Sequence, residues 1–143
     1  MKNRTIYLVA FLFTGIIAFY SCKKDEKNNV RDLLVNKVWL YDTLTISDLN
    51  DEGLLLVAAF MHLGFAGGEF DFKNDGTYTI DADIGTENGT WELKDNNTLI
   101  MDGEDEMEIL TISDTHLELK SILEGVIFTT PYSGYVILKF NAL

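Results

Sequence analysis

The chain has 143 residues, a formal net charge of −12 and a single cysteine, Cys22. This length suits one domain, and the negative charge makes nucleic acid and anionic lipid headgroups poor partners. A single cysteine excludes an intramolecular disulfide, so the fold depends on burial and hydrogen bonds.

Residues 1–21 have the layout of a secretory signal peptide. Lys2 and Arg4 precede an apolar run at 6–19, which is too short to span a bilayer comfortably. The sequence FYSC at 19–22 resembles the lipobox of bacterial lipoproteins, in which cleavage before the cysteine exposes it to acylation. The resemblance implies that acyl chains such as palmitate on Cys22 anchor the mature chain to a membrane. Loss of Lys2 and Arg4 would change the net charge from −12 to −14.

Residues 22–33 form the next segment. They are charged and lack apolar periodicity, which predicts a flexible tether. The sequence CKKDE at 22–26 resembles the signal with which some Gram-negative bacteria send lipoproteins to the outer face of the outer membrane. We therefore expect an outer-membrane lipoprotein, and both display on the cell surface and a periplasmic position stay open.

Residues 34–143 form the expected globular domain, in which apolar and polar residues alternate with a period of two. Phe70 and Phe72, for example, alternate with charged side chains, as in a strand with one buried face. The pattern predicts about eight strands, at 37–46, 69–73, 77–83, 90–94, 99–101, 106–113, 116–120 and 136–140. Short Asn-, Asp- and Gly-rich links between them predict sequential antiparallel hairpins. An all-β, up-and-down antiparallel barrel is the expected fold, because closure removes the unpaired edges.

Two features depart from simple alternation. The strands at 37–46 and 106–113 have large apolar residues on both faces, which indicates a bulge or cover by another element. Between the first two strands, residues 54–63 are apolar nearly all round, after Ser47 or Asp48 as a helix cap and before a glycine-rich stop. This insertion predicts a short buried helix, with a strand at 54–60 as the alternative.

Four motifs in order resemble the lipocalin-like domains of bacterial lipoproteins. They are Leu34-x-x-Lys37-x-Trp39, the hairpin EFDFKNDGTY at 69–78, GTWEL at 89–93 and LEL at 117–119. In that family the early strand carries Gly-x-Trp, and here Lys37 takes the glycine position. The resemblance spans nearly the whole mature domain. It implies an eight-stranded barrel and, by analogy with true lipocalins, capture of a small hydrophobic molecule.

Aromatic side chains are the candidate ligand contacts. We predict that the ligand-binding residues are Phe60, Phe70, Phe72, Tyr78 and Trp91, with Met61 and Phe65 beside Phe60 over one mouth of the barrel. A filled core would use the same aromatic stripe, so both interpretations stay open.

The sequence does not favour a metal site or an enzyme. His62 and His116 have no cysteine or second histidine nearby and no Glu-x-x-His spacing, and the dense carboxylates at 102–108 lack the EF-hand pattern. Gly-x-Ser-x-Gly is absent and the serines fall near turns or strand ends, which disfavours a nucleophilic hydrolase. We expect no metal, no cofactor and no catalysis.

Two functions follow. The first is a lipid-anchored barrel that binds a small hydrophobic or amphipathic ligand, or a glycan fragment. The alternative is a packed barrel that serves as a structural or protein-interaction module of the cell envelope, with Tyr132 and Tyr135 as contacts to an envelope partner.

Overall fold

The structure, a computed structural model, describes residues 26–143, with side chains from residue 30 onward. The predicted signal peptide at 1–21 and Cys22 lie outside the described residues. The described elements are α1 (Glu26–Val35), β1 (Trp39–Ile46), α2 (Glu52–Phe65), β2 (Glu69–Phe72), β3 (Thr77–Ala82), β4 (Gly85–Asp95), β5 (Thr98–Met101), β6 (Asp105–Ile112), β7 (His116–Ile127) and β8 (Thr130–Ala142). Neither of these two helices has the length and apolar character needed to cross a membrane.

The strands form a closed antiparallel barrel in which each strand pairs with the next, and β8 pairs back to β1. This confirms the predicted up-and-down barrel. One end carries the β1–β2 connection and the β3–β4, β5–β6 and β7–β8 turns, and we call it the open end. The opposite end carries the other turns and α1, and we call it the closed end. The side chains between them form one hydrophobic core.

The two strands without simple alternation both contain a register shift. In β1 the pairing with β8 shifts between Tyr41 and Thr43, and in β6 the pairing with β7 shifts between Ile109 and Thr111. A bulge changes the face to which later side chains point, so apolar residues of both parities contact apolar neighbours. The predicted irregularity is confirmed.

The insertion between β1 and β2 is the helix α2, and the strand alternative at 54–60 is wrong. Asp51 caps the helix: its Oδ1 accepts a hydrogen bond of 2.8 Å from the Leu54 backbone N–H, and its Oδ2 accepts one of 3.3 Å from the Ser133 N–H. The helix is not buried all round, however. Leu54 and Ala58 are buried, whereas Leu56, Phe60 and Leu63 are exposed.

The segment predicted as a flexible tether at 22–33 is helical from Glu26 onward, which corrects that prediction. Leu34 on α1 is fully buried, and its carbonyl accepts a hydrogen bond of 3.1 Å from the Trp39 indole N–H. The Arg31 guanidinium lies 4.6 Å from the Trp91 ring centroid and donates to the Asn74 carbonyl at 2.9 Å. Because Val30 and Leu34 lie one helical turn apart, they present one apolar stripe to the barrel despite the polar composition. α1 therefore plugs the closed end.

The β7–β8 hairpin is longer than predicted and extends past its neighbours at the open end. β6 pairs with β7 only as far as Ser121, and β1 pairs with β8 only as far as Val136, but β7 and β8 stay paired to Ile127 and Thr130. α2 packs against this extension. A Cβ on Gly53 would lie only 2.9 Å from the Tyr132 Cβ, which shows how closely helix and hairpin approach.

Candidate ligand-binding cavity

A cavity of about 270 Å³ lies inside the open end of the barrel. Two α2 side chains, Met61 and Phe65, cover part of it. The rest of its apolar wall comes from strands on all sides of the lumen, namely Phe70, Tyr78, Ile80, Met101, Met107, Leu119, Leu123, Leu138 and Phe140. Ser121 and three carboxylates complete the lining: Glu87, Asp102 and Asp105. The volume is slightly below the roughly 300–1,000 Å³ of common ligand pockets, so the cavity suits a small molecule.

The strand register explains why two carboxylates face the lumen. Glu87 pairs directly with Ile80, and Asp105 pairs directly with Met101. Directly opposite residues on neighbouring strands point to the same face. Since Ile80 and Met101 are buried in the barrel, Glu87 and Asp105 point inward as well. Both are solvent-exposed, which places them at the mouth of the cavity.

Asp102 holds one side of the mouth in place. Its Oδ2 accepts a hydrogen bond of 2.6 Å from the Tyr78 hydroxyl, and its Oδ1 accepts one of 2.8 Å from the Thr90 backbone N–H. These bonds, the Tyr78 bond first, lower the pKa of the Asp102 carboxyl below its ordinary value. Burial raises the pKa of Tyr78, and the bond to Asp102 adds to that shift. The pair is therefore a phenol that donates to a carboxylate at neutral pH.

Gly89 makes room for this pair. It lies opposite Tyr78 in the β3–β4 register, and a Cβ at this position would collide with Asp102 Oδ1 and with the Tyr78 ring. The close approach accounts for the glycine in the sequence GTW at 89–91.

The model of a family described as a lipocalin-like domain matches residues 38–119, which is more than half of the chain. The chain belongs to the lipocalin-like domain family. No curated protein sequence matches it. A similar solved structure is a DUF4847 family protein from Bacteroides vulgatus, which is 14% identical with a TM-score of 0.50, over 78% of this chain and 96% of that one. This likeness concerns the fold.

The family assignment confirms the resemblance that the motifs predicted. Lys37 at the usual glycine position does not prevent packing around Trp39, which is fully buried in this lipocalin-like barrel. The Lys37 ammonium lies 5.8 Å from the Trp39 ring centroid and pairs with Asp114 at 2.9 Å. Lipocalin-like barrels are typically binding folds without catalysis.

The five predicted ligand contacts of this lipocalin-like domain lie in three different places. Phe70 and Tyr78 line the cavity. Phe72 and Trp91 are buried at the closed end, where their rings meet edge to face at 5.7 Å and the Trp91 indole N–H donates to the Lys73 carbonyl at 3.0 Å. Phe60 is 54% exposed on the outer side of α2, next to Phe128. The sequence pattern found the inward face but not the height of each residue along the barrel.

The carboxylates of the cavity lining, Glu87, Asp102 and Asp105, were not predicted as ligand contacts from the sequence. The register that turns Glu87 inward follows from the tight β3–β4 turn, and no alternation around Glu87 in the sequence signals it. The carboxylates at 102–108 divide between two faces: Glu106 pairs with Lys94 at 2.9 Å and Glu108 with Lys120 at 3.4 Å, away from the lumen. Among the side chains described, those of residues 30–143, no group of three or more His, Cys, Asp or Glu is arranged to hold a metal ion. His62 has a structural contact instead: its Nδ1 lies within hydrogen-bond distance, 2.9 Å, of the Tyr41 hydroxyl oxygen.

Proposed function

We propose that this protein is an outer-membrane lipoprotein, anchored through acyl chains on Cys22, whose lipocalin-like barrel binds a small apolar or amphipathic molecule without chemical conversion. The observation that carries the binding role is the cavity at the open end. A barrel whose interior were a continuous core would have side chains where this one has 270 Å³ of open volume beneath α2. Its predominantly apolar wall favours an apolar body over a glycan fragment, which needs many hydrogen-bonding partners.

The anchor and the cavity lie at opposite ends of the barrel in this proposal. Cys22 precedes the start of α1 by four residues, and α1 covers the closed end. Four residues reach at most about 14 Å, so an anchor at Cys22 keeps the closed end near the bilayer. The mouth then faces away from the membrane, and ligand enters from the aqueous side.

Native mass spectrometry tests the binding role. A chain that begins at Lys23 keeps every element of the barrel and α1, and it is purified gently from its own host. A reproducible adduct that is lost on denaturation supports the proposal and gives the ligand mass. The proposal fails if the mass stays that of the bare chain after incubation with lipid extracts of the host.

The anchor is tested separately in cells that express the full chain. Labelled palmitate should enter the wild type and not the Cys22→Ala variant, and only the wild type should fractionate with the outer membrane. Protease treatment of intact cells then distinguishes surface display from a periplasmic position. An unlabelled wild type would refute lipidation and leave the binding role unaffected.

A second candidate function is docking of an envelope protein, and one surface favours it. The apolar tip, defined as Phe60, Leu63, Ile84, Val126 and Phe128, is exposed at the open end. The Phe60 and Phe128 rings lie 6.5 Å apart, so helix and hairpin contribute to one patch. Phe128 is 80% exposed and has a φ of 55°, a conformation that costs a bulky residue about 1–2 kcal/mol. Contiguous exposed apolar surface is typical of interaction sites.

Predicted partner contacts Tyr132 and Tyr135 lie on the same hairpin, outside the tip. Tyr135 is 39% exposed and has the Lys120 ammonium 5.0 Å from its ring centroid. A photocrosslinking residue at Phe128 in intact cells should give a discrete adduct if this end docks a protein. The matched control is Leu143, which is 67% exposed at the closed end. Equal or absent crosslinking at the two positions would refute docking at the tip.

A further inference from the structure

The charges that face the cavity are all negative. Its lining includes Glu87, Asp102 and Asp105, and within the described part of the chain no lysine or arginine lines it. The four ion pairs formed among the side chains of residues 30–143 lie elsewhere and include none of these three carboxylates. An apolar cavity with a negative mouth repels carboxylates and attracts cations, and the low-dielectric wall strengthens both effects.

Two of the three carboxylates are free to meet a ligand. Asp102 is committed to Tyr78 and Thr90. Glu87 and Asp105 point inward by register, and neither forms a hydrogen bond or ion pair with another side chain of residues 30–143. They come from different strands, β4 and β6, so they face the mouth from two directions.

Aromatic rings form the wall on which the ligand body would rest. The Phe65 and Phe70 rings are 5.4 Å apart, and the Phe70 and Phe140 rings are 4.9 Å apart, both edge to face. Such faces accommodate apolar groups and also attract a cation within about 6 Å. Met61, Met101 and Met107 also line the cavity, with flexible, polarizable side chains that adapt to different shapes.

We propose that the cavity selects small molecules in which an apolar body carries a cationic amine, and that it rejects carboxylates of the same size. This inference rests on the proposed binding function. The apolar body occupies the cavity beneath α2, against these aromatic rings. The ammonium group stays at the mouth, where Glu87 and Asp105 accept its hydrogen bonds and water still reaches it.

The test uses two matched series that differ only in the polar group. One series is phenethylamine, phenethyl alcohol and phenylacetate, and the other is hexylamine, hexanol and hexanoate. Backbone amide NMR titrations of the chain from Lys23 onward measure affinities into the millimolar range. The positions of the amides whose chemical shifts change show whether the compound binds in the cavity. We expect each amine to bind about tenfold more tightly than its alcohol and the carboxylates to bind most weakly.

Paired variants locate the source of the selectivity. Glu87→Gln/Asp105→Asn should weaken amine binding by about tenfold and leave alcohol binding unchanged. The control is Asp71→Asn/Glu92→Gln. Asp71 and Glu92 follow the alternation of their strands and point outward, because their neighbours Phe72 and Trp91 point inward. This control should change neither amine binding nor alcohol binding. Added salt should weaken amine binding and not alcohol binding.

The outcomes separate this inference from the proposed function. If alcohols or carboxylates bind as well as the amines, or if both double variants behave alike, the amine selectivity is refuted while binding stands. If no compound of either series shifts the cavity amides, and no adduct accompanies the protein from its host, the binding function itself fails.

Discussion

Replacement of Leu34 by alanine tests whether α1 is part of the folded barrel. Leu34 is fully buried at the closed end, so the change removes three carbon atoms from a packed environment. At about 0.8 kcal/mol per carbon the transfer loss is roughly 2.4 kcal/mol, and incomplete collapse around the new cavity adds about 1 kcal/mol. We expect the free energy of unfolding to fall by about 2.5–4 kcal/mol.

Urea denaturation followed by tryptophan fluorescence measures this loss. With an m value of about 2 kcal/mol/M, the midpoint should fall by about 1–2 M without a change in slope. Trp39 and Trp91 both contact α1 and report directly on the closed end. The matched control is Leu33→Ala on the same helix, because Leu33 is only partly buried and is not packed against the core. If Leu34→Ala costs as little as an exposed substitution, below about 0.5 kcal/mol, the plug is refuted and the tether interpretation stands.

Three further perturbations test the open end. Gly89→Ala should lower the free energy of unfolding by about 1–3 kcal/mol, measured by thermal denaturation, because its Cβ collides with the Tyr78 ring and Asp102; an unchanged midpoint would contradict the close approach. Tyr78→Phe should weaken the acid dependence of stability: the Asp102 pKa is lower in the folded chain, so its contribution is present above about pH 4 and lost below it, and equal slopes in wild type and variant between pH 7 and pH 3 would refute this. Phe128→Asn should raise the unfolding free energy by up to about 1 kcal/mol, since asparagine tolerates a φ of 55°, and a clear loss would show that Phe128 packs as core.

The fold was predictable because short segments of the sequence, each a strand or a turn, determine most of it. Turn chemistry such as Asn74-Asp75-Gly76 fixes hairpins between neighbouring strands, and a run of such hairpins with one apolar face has few ways to remove its edges other than closure. The sequence around the end of α2 and around the two bulges also predicted these features. The sequence of α1 did not predict a helix, because its few apolar residues stabilise it only by packing against the barrel that they cover.

The site was only half predictable for a related reason. Alternation assigns a side chain to a face, but its height along the barrel depends on the pairing of every strand. Phe70 and Phe72 lie two residues apart with the same orientation, yet Phe70 lines the cavity and Phe72 packs against Trp91 at the closed end. Glu87 faces the lumen only because β4 pairs with β3 in one particular register.

The two ends of the barrel therefore satisfy different requirements. At the closed end both indole N–H groups donate to carbonyls and the large rings are buried, so a change there removes interactions that hold the fold together. At the open end, Glu87 and Asp105 bring like charges to the rim of an apolar cavity, an arrangement that gives the empty barrel no stabilising contact. Neutralising both residues should leave the unfolding free energy unchanged or higher while amine binding falls. Within the mouth, selectivity then depends on Glu87 and Asp105, whereas Asp102 stabilises the fold through its hydrogen bonds from Tyr78 and Thr90.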